Sequence, residues 1–189
     1  MKDMITEEAI RYIEELFQEN SDGHGIDHTM RVWRNAMKIA EKEECDKDIV
    51  SLASLLHDAD DHKLFHTEDN ANARFFLEEH DVEPDVIETI IGIINSVSFS
   101  RNRGRHPDSI EGMVVQDADR LDAIGAIGVA RTFLYSGSHG RSIQDSVDHF
   151  HEKLLLLKDE MNTDTGKKLA EERHDYLLSF LKQLEEEMR

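Results

Sequence analysis

Two adjacent side chains able to bind a metal ion, His57 and Asp58, follow directly on the apolar run Leu52 to Leu56. Burying Leu52, Leu55 and Leu56 would hold the pair at the mouth of a core rather than on a free loop. Neighbouring residues on a helix do not face each other, so one ion can take both only near a helix end or bend. The pattern puts them at such an end, and Asp60, Asp61, His62 and Lys63 crowd the next turn. Further candidates sit on other apolar segments: His28 ahead of Val32 and Ala36, and the acids Asp117, Asp119 and Asp122 around Leu121. Imidazoles and carboxylates delivered to a common interior suit a divalent ion such as Mn, Mg, Ni, Co, Fe or Zn. Such an ion polarises a phosphorus centre and acidifies water, which makes hydrolysis of a phosphorylated substrate the chemistry to expect.

The elements that must position these groups read as helices. Apolar residues recur at helical spacing over Thr6 to Glu19, Asp27 to Glu43, a third segment opening at the N-cap Asp46, and Glu68 to His80. Pro84 suits the first turn of a fifth, with Ile87, Ile90, Ile91 and Ile94 inward. The segment from Ser96 to Ser109, rich in serine, arginine and glycine, reads as the longest loop. Asp108 and Glu111 are expected to cap the next helix, which runs through Asp122. The small residues Gly125 to Ala130 permit close packing, and Gly137 to Gly140 read as a loop. Val147, Phe150, Leu154, Leu157 and Met161 predict one amphipathic helix. A last helix after Gly166 is expected to pack through Tyr176, Leu177, Phe180, Leu181 and Leu184. The expectation is an all-α chain forming one domain over residues 1–189, with a motif core at about 22–135 and C-terminal helices over 142–189 packing on it.

Composition narrows the partners. A net charge of -19, from 22 basic and 41 acidic residues, repels polymeric nucleic acid. No apolar run is long enough to span a membrane, and the N-terminal residues carry acids where a targeting segment avoids them. The lone Cys45, beside Glu44 and Asp46, fits a reducing cytoplasm and an idle thiol. A small phosphate ester remains compatible if metal and local cations meet it. Lys63 is placed to neutralise phosphate or to pair with Asp60. Arg101, ahead of Arg103 and Arg105, is the best placed loop cation for a bidentate phosphate contact. His24 lies a short turn before His28 and is expected to touch substrate. Arg31, one turn beyond His28, either orients an acid behind the ligands or forms a structural ion pair, and Asp122 shares a face with Asp119. Arg31 and Asp122 are expected among the substrate-binding residues. No P-loop or Rossmann glycine pattern is present.

Taken together, the motifs resemble the HD-domain metal-dependent phosphohydrolases, specifically a small bacterial subgroup. The resemblance rests on His28-Thr29-Met30-Arg31-Val32, on His57-Asp58, and on Gln116-Asp117-Ala118-Asp119-Arg120-Leu121-Asp122-Ala123-Ile124-Gly125-Ala126-Ile127-Gly128. It extends to Asn162-Thr163-Asp164-Thr165-Gly166-Lys167 and Ala170-Glu171-Glu172-Arg173-His174. Gly25 stands where these relatives often carry an aspartate. The resemblance selects Asp119 over Asp117 and Asp122 and implies one divalent ion on His28, His57, Asp58 and Asp119. It also gives Asp61 the task of positioning or deprotonating water. The implied activity is cleavage of a phosphate ester or phosphoanhydride, of a nucleotide first of all, as a nucleoside triphosphate pyrophosphohydrolase or a phosphatase. A cyclic nucleotide or dinucleotide phosphodiesterase and a non-catalytic nucleotide-binding regulator are the rival readings. A monomer or homodimer is expected.

Overall fold

The computed structural model describes residues 2–18, 25–62, 64–97, 102 and 104–189, with side chains from residue 4 onward. The described chain forms α1 (Lys2–Leu16), α2 (Ile26–Ala40), α3 (Lys47–Leu56), α4 (Ala71–Glu79) and α5 (Pro84–Val97). It continues as α6 (Ile110–Asp122), α7 (Gly125–Ser138), α8 (Ile143–Glu152), a 3-10 segment (Leu154–Glu160) and α9 (Asp164–Glu187). The fold is all-α, as expected, with no strand among the described residues. None of the helices is long and apolar enough to cross a membrane among the described residues.

α3 lies at the centre, with α1, α2, α5 and α6 packed around it. A helix enclosed on all sides must be apolar all round, and every residue from Val50 to Leu56 is buried. Its two serines are each satisfied: Trp33 Nε1 donates to Ser51 Oγ at 2.9 Å, and Ser54 Oγ donates to Ser51 O at 3.0 Å. Asp46 caps the helix, accepting from the amides of Asp48 at 2.9 Å and Ile49 at 3.3 Å. α2 lies against both α3 and α6, so these three helices form a layer that α5 completes.

α9 is fixed to α6 by one buried carboxylate. Asp117 Oδ1 accepts from the Asn162 amide and side chain, and Oδ2 from the Thr163 amide and hydroxyl, all at 2.8 Å. Burial pushes the Asp117 carboxyl up, and these four donors oppose that shift. The approach is so close that a Cβ on Gly166 would meet Asp117 Oδ2 at 2.3 Å. Beside it, Gln116 Nε2 donates to Ser96 O at 2.9 Å and to Arg105 O at 3.4 Å, tying both ends of the long loop to α6. The small residues expected to allow close helix packing do so at Gly125, where a Cβ would lie 3.0 Å from Arg173 Cγ on α9.

Several expectations need correction. α4 begins at Ala71, not Glu68, because Asp69 and Asn70 take positive φ of 54° and 55°. Its first turn is capped from a distance by Asp60, which accepts from the amides of Asn72 and Ala73 at 3.0 Å. Ser109, not Asp108, caps α6 by accepting from Gly112 N at 3.0 Å; Glu111 accepts instead from Asp46 N at 2.9 Å. The single helix expected through Val147 and Met161 breaks at Lys153 (φ −134°) and resumes as the 3-10 segment. Three residues per turn bring Leu154 and Leu157 to the same inward side. α7 continues through Gly137 and Ser138, which were expected to be loop. Tyr176 is 48% exposed, since Leu177 and Leu181 hold the inward face of α9.

Candidate metal centre

The ends of three helices supply the centre. His28 sits in the first turn of α2, entered from the extended Gly25. His57 closes α3 as its C-terminal cap, and Asp58 follows in the turn beyond, where the chain has left the helix. This bend is what lets two adjacent residues face one point. Asp119 comes from the last turn of α6, the helix that packs closely on α2.

One ligand atom each from His28, His57 and Asp119 falls within 4.8 Å of the others. Asp58 Oδ2 joins them, 3.4 Å from His28 Nε2 and 3.3 Å from His57 Nε2. Asp119 Oδ1 lies 3.5 Å from His28 Nε2. Backbone and outer carboxylates fix both rings. His57 Nδ1–H donates to Ser54 O at 2.8 Å, and His28 Nδ1–H to Asp122 Oδ2 at 2.7 Å, so both rings present Nε2 to the common point. His57 Nε2 is buried and receives no hydrogen bond. A buried nitrogen without a donor or acceptor is costly unless a further partner completes it. The two imidazoles, two carboxylates and orphaned nitrogen fit a divalent ion.

Charge in the centre follows from this crowding. Burial works against a charged His57, but Asp58 and then Asp119 overrule it and push the imidazole up to about 9. His28 is raised too: burial resists, while the Asp122 and Asp58 hydrogen bonds prevail. For Asp122, burial would raise the carboxyl, yet His28, Arg31 and Arg131 hold it far below the usual carboxylate range. The thiol of Cys45 lies elsewhere and is pushed up by burial and by Glu111, in keeping with an idle cysteine.

The other expected residues divide into three groups. Asp61 stands in the turn after α3, its amide donating to Asp58 O at 3.1 Å and its carboxylate 3.4 Å from His62 Nδ1. Arg31 and Asp122 come together: Arg31 Nε donates to Asp122 Oδ1 at 2.7 Å and Nη2 to Oδ2 at 3.1 Å. Asp122 itself is only 1% exposed and lies behind His28. His24, Lys63 and Arg101 fall outside the described residues. One residue escaped sequence reasoning. Arg131, on α7, donates from Nη1 to Asp122 Oδ2 at 2.6 Å and lies 3.0 Å from His28 Nδ1. The available signal was that Arg131 lies, with Arg141, inside residues 123–144, a run with no acid to pair it locally.

Comparison with known proteins bears on this geometry. The HD domain family model matches residues 25–124. The uncharacterized protein YpgQ of Bacillus subtilis (strain 168) is 43% identical over 198 residues, spanning 100% of this chain and 96% of the relative. The crystal structure of B. subtilis YpgQ in complex with ADP is similar at a TM-score of 0.86 and 36% identity, over 98% of this chain and 96% of that one. An HD-superfamily hydrolase from Bacillus thuringiensis is similar at a TM-score of 0.84 and 38% identity, over 100% of this chain and 98% of that one.

Proposed function

This chain belongs to the HD-domain family, and on that premise we propose that it is a metal-dependent phosphohydrolase acting on a nucleotide. The observation that carries the reading is the buried His57 Nε2, which makes no hydrogen bond, clustered with His28, Asp58 and Asp119. Those four residues would hold one divalent ion. When bound, it supplies Lewis-acid polarisation of a phosphoryl oxygen and lowers the pKa of water.

The chain's own side chains do the rest. Asp61, whose backbone amide donates to Asp58 O, would accept a proton from the attacking water. Lys63 and Arg101 offset the charge that grows on the equatorial phosphoryl oxygens, and His24 contacts the substrate. Arg31 and Asp122 act from behind His28: Asp122 keeps Nδ1 protonated, and Arg31 holds Asp122 in place. A nucleotide is favoured because YpgQ, with which this chain shares nearly its whole length, was solved with ADP. Phosphoanhydride cleavage of a nucleoside triphosphate is the leading reaction.

Product analysis tests this. Metal-stripped protein is resupplied separately with Mn, Mg, Ni, Co or Zn and given nucleoside mono- and triphosphates and cyclic nucleotides. The expected result is pyrophosphate or orthophosphate release that needs both the metal and Asp119, and disappears in Asp119→Ala. Stoichiometric metal uptake with no product from any substrate would replace the hydrolase by a nucleotide-binding regulator.

A further inference from the structure

We infer that Arg131 is a positioning residue for the metal centre, linking the docking of α7 to ion binding through Asp122 and His28. The inference rests on the metal-site reading above and adds a residue outside the part of the chain that the family model matches.

Asp122 Oδ2 is the acceptor on which three N–H groups converge: His28 Nδ1 at 2.7 Å, Arg131 Nη1 at 2.6 Å and Arg31 Nη2 at 3.1 Å. Oδ1 takes Arg31 Nε at 2.7 Å. The carboxylate is buried, and a buried charge needs partners that neutralise it and fill its lone pairs. Arg31 orients it through both oxygens, but only relative to α2. It belongs to the same helix as His28, so a movement of α2 carries both together. Arg131 approaches from a different helix. It therefore fixes Oδ2, and through Oδ2 the ring of His28, against a second reference point.

α7 packs mostly on α8 and α9, and Arg131 reaches from it to the α2–α6 layer. The guanidinium bond joins α7 itself to that layer, beside the links that Arg173 of α9 makes to Asn35 and Leu121 O. Coupling of this kind is reciprocal. If Arg131 steadies His28 for the ion, the bound ion must in turn steady α7.

Two measurements on the full chain test this, neither depending on turnover. Isothermal titration of the metal-stripped protein with Mn²⁺ compares wild type, Arg131→Met and Arg131→Lys. Loss of a group that orients a metal-binding histidine typically weakens ion binding by about 10- to 100-fold, and that loss is expected for Arg131→Met. Lysine restores one charge-assisted N–H···O bond and should recover most of it. Hydrogen exchange then follows the amides of α7 with and without Mn²⁺. Protection by the ion is expected in wild type and should be absent in Arg131→Met. A purely structural arginine would lower the melting temperature with and without metal alike and leave the Mn²⁺ affinity unchanged. Unchanged affinity in Arg131→Met, or equal losses in the Met and Lys variants, overturns the inference while leaving the metal site standing. A wild-type chain that takes up no ion overturns both.

Discussion

Metal uptake should expel protons, and the affinity should climb with pH. His57 offers its Nε2 lone pair only when neutral, yet Asp58 and Asp119, against the opposing effect of burial, push the imidazole up to about 9. At pH 7 about one molecule in a hundred carries the neutral ring, so proton competition weakens binding about 100-fold, or about 2.7 kcal/mol. From pH 6 to pH 8 the affinity should rise about tenfold per pH unit from His57 alone and level off above pH 9. His28, raised by Asp122 and Asp58, steepens that slope. Calorimetric titration with Mn²⁺ in buffers of different ionisation enthalpy measures the slope and the protons released. A pH-independent affinity without buffer-dependent heat would falsify the argument. The metal-stripped protein should behave in the opposite sense. His57 is raised from 6.5 to about 9 on folding, so its stabilising contribution is complete below pH 6.5 and is lost as pH rises through about 9. The urea midpoint of the stripped protein should fall across that window.

Two substitutions probe the frame behind the centre. Gly166→Ala drives a methyl group into Asp117 Oδ2 and Thr163 Oγ1, and should cost about 1–3 kcal/mol in urea unfolding. Gly92→Ala, on an exposed position of α5 with nothing within 4 Å, should stabilise by up to about 1 kcal/mol. If the two shift stability alike, close approach at Gly166 is not the constraint. Leu55→Ala, in the enclosed α3, leaves a cavity worth about 2–5 kcal/mol and should lower the melting temperature by several degrees. A loss below about 1 kcal/mol would show that α3 is less tightly enclosed than described.

The helices of the centre were legible because each candidate ligand is joined to its own apolar run. Leu52 to Leu56 announces α3, and the break after it announces the turn in which Asp58 can face the same point as His57. Arg131 was not legible: its partners are Asp122 and His28, and the latter contact spans 103 residues and exists only once α7 folds back. Asp60 gave no local sign of capping α4, since the amides that donate to it are reached across the turn holding Asp69 and Asn70. The interrupted helix after Glu152 kept an α-like apolar pattern, because a spacing of three satisfies both α and 3-10 geometry. Side-chain spacing tells which face is buried better than it tells how tightly the backbone is wound.

The clustering of His28, His57 and Asp119 also sets a timetable for synthesis. The ligands are spread over about ninety residues of chain, with the last acid on α6. At a synthesis rate of about 5–20 residues per second, the emerging chain carries His28 for about five to twenty seconds before Asp119 is made. During that interval α2 and α3 lack the helix that completes the pocket. An ion met too early finds two imidazoles and one carboxylate on unanchored segments, a loose donor set with little to distinguish one transition metal from another. Discrimination between ions would therefore fall to the finished fold, once α6 has docked on α2 and α3.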